Sequence, residues 1–72
     1  MRMPIHLETQ SDVMRFVNVV NNVPDPVYVT DGHHCRVSAK SLLGVLYSLE
    51  FTEIWCECEK DIYHLIFPFV AN

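Results

Sequence analysis

A chain of 72 residues, half of them apolar and only two of them glycine, suffices for one small domain spanning residues 1–72. It is too hydrophobic for a disordered tail or a low-complexity linker. A domain of this size buries only about 60–65% of the surface its unfolded chain exposes, which leaves little volume for an enclosed catalytic pocket. The formal net charge is −4, and it is unevenly placed. Residues 1–49 balance Glu8, Asp12, Asp25 and Asp31 against Arg2, Arg15, Arg36 and Lys40. Residues 50–72 set Glu50, Glu53, Glu57, Glu59 and Asp61 against Lys60 alone. With no basic stripe, a nucleic-acid backbone is not an expected partner. No stretch reaches the roughly 18 uncharged apolar residues of a membrane span, and the start lacks the apolar core of a signal peptide. Three cysteines fit a secreted disulfide framework poorly, so a cytoplasmic setting is expected.

In chain order, a short strand is expected from Met3 to Glu8, with Ile5 and Leu7 on one face and His6 on the other. Thr9, Ser11 and Asp12 then offer caps to a helix whose Val13, Phe16, Val17 and Val20 form one apolar stripe. Asn21-Asn22 and Pro24-Asp25-Pro26 end that helix, since proline lacks the N–H donor and restricts the residue before it. Val27 to Thr30 reads as a strand, Asp31-Gly32 as a two-residue hairpin turn, and His33 to Val37 as the return strand. Ser38 is a candidate cap for a second helix with Leu42, Leu43, Val45, Leu46 and Leu49 as apolar positions. Gly44 inside that helix costs about 1 kcal/mol relative to alanine, which points to a close backbone contact there.

Thr52 to Glu59 alternates Ile54, Cys56 and Cys58 with Trp55, Glu57 and Glu59, the pattern of a strand with one buried face. Asp61 can cap a last helix bearing Ile62, Leu65, Ile66 and Phe69, and Pro68 ends or kinks it near Phe67. The element order βαββαβα, with strands apolar on one side, implies an α+β two-layer fold: an open antiparallel sheet with helices on one face.

The stretch from Arg36 through Ser38-Ala39-Lys40-Ser41-Leu42-Leu43-Gly44-Val45 to Leu46 resembles the HPr family, the phosphocarrier proteins of the bacterial sugar phosphotransferase system. Phe16-Val17, the Asp31-Gly32 turn and the element order extend the resemblance upstream. It implies a four-stranded open-faced sandwich with sheet order 1-4-2-3. In that family a strand-to-helix turn, Gly-x-His-x-Arg-Pro, carries the histidine that accepts a phosphoryl group. Aligned from Phe16, Leu7 stands in place of the glycine, Thr9 of that histidine, Ser11 of the arginine and Asp12 of the proline.

A phosphoryl carrier needs an imidazole nitrogen as nucleophile and a cation to stabilise the phosphate. Thr9 supplies neither, and Glu8 and Asp12 repel an anion. The expectation is therefore an HPr-like regulatory or protein-binding module without carrier activity, neither an enzyme nor a cofactor protein. Its partners would be phosphotransferase-system or carbon-regulation proteins. Ser41 matches the family's regulatory serine, and Lys40, Leu43 and Leu46 match its docking surface. Ser41 also reads as an ordinary polar residue of a helix start, and Leu43 and Leu46 as core.

Two alternatives stand beside this expectation. One is an active carrier with a rearranged site, using His6 or another histidine. The other is a ferredoxin-like ligand-binding domain, for which the sheet order would be 4-1-3-2. Cys56 and Cys58 with His33, His34 and Cys35 suggest a metal site, but the shared apolar face of Cys56, Cys58 and Ile54 favours buried thiols instead. In the implied sheet order an intervening strand also separates Cys35 from them. On the open face, the same order sets Trp55 between His6 and Tyr28, an aromatic patch suited to association, including a homodimer.

Overall fold

The computed structural model describes residues 1–71. The strands are β1 (Arg2–Ile5), β2 (Val27–Thr30), β3 (Arg36–Ser38) and β4 (Ile54–Cys58). The helices are α1 (Gln10–Val20), α2 (Leu42–Ser48) and α3 (Tyr63–Ile66), the last running into a 3-10 turn at Phe67–Phe69. The sheet is antiparallel throughout in the order β1-β4-β2-β3, as the resemblance implies and unlike the ferredoxin-like order.

Thr9 starts α1 through a capping box: its hydroxyl accepts the N–H of Asp12, and the Asp12 carboxylate accepts the N–H of Thr9. The expected stripe of Val13, Phe16, Val17 and Val20 is buried. Those side chains meet Ile5, Val27, Val29, Cys56, Ile62, Ile66 and Phe69 in a single apolar cluster between sheet and helices. Burying each such side chain contributes about 1.5–3 kcal/mol. The Phe16 and Phe69 rings meet edge to face at 5.4 Å. Gly44 makes the close contact expected of it: a Cβ there would meet Val37 Cβ at 3.2 Å and the Ser38 carbonyl at 3.3 Å.

Four local expectations are corrected. The first strand stops at Ile5 instead of reaching Glu8, because the chain turns there to cap α1. β2 and β3 are joined by five residues, 31–35, in place of a two-residue turn, since Thr30 pairs with Arg36. The Asp31 carboxylate accepts the N–H groups of His33, His34 and Cys35, which organises the longer loop around one side chain. Ser38 belongs to β3, and Ser41 is the residue that caps α2. β4 starts at Ile54 rather than at Thr52.

The C-terminal segment closes the outer edge of β1. His6 N–H donates to the Phe69 carbonyl at 2.7 Å, Ala71 N–H donates to the Pro4 carbonyl at 2.9 Å, and Ile5 bridges to Val70. Among the described residues, no helix is long and apolar enough to cross a membrane.

Candidate functional site

Three surfaces hold the side chains singled out above. The first lies at the start of α1. Thr9 is exposed, but its hydroxyl is committed to the cap. The Asp12 carboxylate accepts from the backbone N–H groups of Glu8 and Thr9 and from the Arg15 guanidinium. These contacts, the Glu8 amide first, hold its carboxyl below the usual carboxylate range. Asp12 thus fills with its own charge part of the donor set that a helix start offers to an anion. His6 stands beside this cap, its Nε2 2.7 Å from Glu8 Oε1, and lines one shallow groove with Asp12, Arg15 and Phe69. The imidazole–carboxylate pair is two-thirds exposed on both sides, so water screens it.

The second surface is α2. Ser41 is exposed and its Oγ accepts the Gly44 N–H at 3.1 Å. The Lys40 ammonium turns back to donate to the Val23 carbonyl, tying the start of α2 to the end of α1. Leu43 is 80% exposed, and Leu42 and Tyr47 are also open to solvent. Leu46 is half-buried and packs onto the core beneath. Of the two α2 leucines that read equally as core or surface, the structure therefore puts Leu43 outside and Leu46 partly inside. Tyr47 was not singled out from the sequence, although it follows Leu43 by four positions and shares its helical face.

The third surface is the open face of the sheet, and its register changes the expected patch. Trp55 pairs with Pro4 on one side and Thr30 on the other, whereas Tyr28 pairs with Glu57. The two aromatics are therefore diagonal, and His6 lies beyond the end of β1. Each ring carries an arginine: Arg2 lies over Trp55 at 4.7 Å from the ring centroid, and Arg36 over Tyr28 at 3.8 Å. Glu57 stands between the two guanidiniums, 3.4 Å from Arg2 and 3.7 Å from Arg36. Thr30 is buried on this face because its hydroxyl donates to the Cys35 carbonyl and accepts the Gly32 N–H.

Cys56 and Cys58 are buried free thiols, and burial pushes the Cys56 thiol up to about 12. Cys35 is half-buried in the loop before β3, two strands from Cys56. Among the described residues no three histidine, cysteine or acidic side chains converge as metal ligands would. Set against family models, characterised proteins and solved structures, the chain matches none.

Proposed function

We propose that this protein is an HPr-like protein-binding module that docks through the exposed face of α2 and carries no phosphoryl group on histidine. The observation that bears most weight is Leu43, an 80% exposed leucine with Leu42 and Tyr47 beside it on a seven-residue helix. A small domain with few core residues to spare gains nothing in stability from leaving them outside, and such patches suit association. The strand order 1-4-2-3, found here, agrees with the topology the resemblance implies. Asp12 supports the loss of carrier activity, because a carboxylate already occupies amides at the start of α1 and repels phosphate. Ser41, at the head of the docking surface, is the candidate for regulatory phosphorylation; added charge there would both favour the helix start and alter docking.

The test is incubation with phosphoenolpyruvate and the first enzyme of the phosphotransferase system, with an authentic HPr beside it. No acid-labile phosphate should appear on this chain, and phosphohistidine would overturn the proposal. Docking is read with phosphotransferase-system and carbon-regulation proteins as probes. Leu43→Glu should abolish any complex while leaving the melting curve unchanged. A second reading, carriage on His6, draws on the groove that His6 shares with Asp12 and Arg15. Label that appears and then disappears in His6→Ala would establish it.

A further inference from the structure

Helix α2 lies within a stretch, residues 41–49, that carries no charge. Leu42, Leu43 and Tyr47 are exposed along it, and the charged residues that bracket it are Lys40 before and Glu50 after. From Lys40 to Leu43, Tyr47 and Glu50 the intervals are three, four and three residues. Leu43, Tyr47 and Glu50 follow one side of a helix, because the Glu50 N–H still donates to the Tyr47 carbonyl at 3.0 Å. Lys40 stands just ahead of the Ser41 cap. The spacing reads the same in both directions, whereas the charge reverses from a cation at the head to an anion at the foot. Among the described residues neither Lys40 nor Glu50 forms an ion pair, and the Val23 carbonyl that the Lys40 ammonium reaches is a neutral acceptor.

We infer that the partner seated on this face is a second copy of this chain, with the two α2 helices antiparallel about a twofold axis. The inference rests on the reading of α2 as the docking face and names its occupant. With the axis between Leu43 and Tyr47, Leu43 of each copy meets Tyr47 of the other, and each Lys40 lies toward the opposite Glu50. Parallel pairing would set like charges together at both ends, so charge selects the antiparallel arrangement. A twofold contact needs a patch complementary to itself, and symmetric spacing with opposite end charges meets that condition. Residues 1–49 are neutral overall, so the acidic surplus that drives copies apart lies outside α2. A seven-residue helix is about 10 Å long, which makes the contact small and the dimer weak and concentration-dependent.

Sedimentation of the full chain from micromolar to millimolar concentration should show monomer passing to dimer and stopping there, because a twofold contact closes. Leu43→Glu should stay monomeric. Glu50→Lys should weaken the dimer at least about tenfold, since symmetry sets two lysine pairs in opposition. Lys40→Glu should do the same with two glutamate pairs. Mixed in equal amounts, the two variants oppose every cation with an anion and should pair at least about tenfold more tightly than either does alone. A folding defect in either variant cannot produce that gain. In a mixture of labelled and unlabelled chains, an isotope-filtered NOE should join Leu43 methyls of one copy to the Tyr47 ring of the other. A chain still monomeric at millimolar concentration, a mixture no tighter than its components, or a dimer without that NOE would overturn the inference. So would a dimer that survives Leu43→Glu. If the chain stayed monomeric while Leu43→Glu abolished binding of a phosphotransferase-system probe, docking through α2 would stand and the second copy alone would fall.

Discussion

Asp12 and Asp31 show how one half-buried carboxylate can organise a segment of backbone. Asp12 gathers the amides of Glu8 and Thr9 with the Arg15 guanidinium, and Asp31 gathers those of His33, His34 and Cys35. Both carboxyls are held below the usual carboxylate range, Asp12 chiefly by the Glu8 amide and Asp31 chiefly by the His33 amide. A group whose pKa is lower in the fold than in the unfolded chain stabilises the fold above the ordinary carboxylate range. That contribution is lost as pH falls through the lowered folded value. Urea unfolding across the acid range should therefore show stability declining with pH, and Asp12→Asn should flatten part of that decline. An unchanged slope would mean that the amide contacts do not persist in solution. Gly32 is fixed for a different reason: its φ is +87°, and a Cβ there would meet Glu53 Oε1 at 2.9 Å. Gly32→Ala should therefore cost about 1–2 kcal/mol in the same unfolding measurement.

Elements were legible where their signal is repeated along the chain. The α1 stripe recurs over two turns and β4 alternates over five residues, so the faces of both could be read without coordinates. Elements decided by one side chain were not. An Asp-Gly pair fits a two-residue turn, but the Asp31 carboxylate can satisfy three loop amides, and the longer loop prevails. Ser38 and Ser41 are chemically equal caps, and what separates them is that Ser38 pairs with Tyr28 in the sheet. Register, likewise, is a relation between distant strands. For that reason the arginines over Trp55 and Tyr28 could not be read from spacing, although both aromatics could be placed on the open face. On α2 the periodicity marked Leu43 and Leu46 together, and only the packing divides them. The caps themselves offer a test at this scale. Thr9→Ala removes the hydroxyl half of the capping box and should cost about 1 kcal/mol. Thr9→Ser keeps the acceptor and should restore most of it.

At the scale of the molecule, the order 1-4-2-3 leaves two outer strands, and they are protected differently. β3 has only three residues, too short an edge to template another strand readily. β1 is longer, and its outer side is taken up by the C-terminal segment through His6, Pro4 and the Ile5–Val70 bridge. One side chain anchors that segment: Phe69, 8% exposed, with its ring edge to face on Phe16 at 5.4 Å. Phe16 in turn lies on the buried stripe of α1, so a single aromatic pair joins the first helix, the sheet edge and the chain's last described turn. Truncating a buried phenylalanine costs about 3–5 kcal/mol, from lost transfer energy and the cavity left behind. Small domains hold only about 5 kcal/mol or little more in total. Phe69→Ala should therefore remove most of the stability of the whole fold, far beyond local fraying of its end. In native-state hydrogen exchange of the unmodified protein, the His6 and Ala71 amides should open together with the α1 amides around Phe16. In Phe69→Leu, which keeps most of the volume but not the ring contact, that opening should be easier while the fold survives. Protection of Ala71 far below that of α1 in the unmodified protein would show the tail to be a dispensable cover for β1.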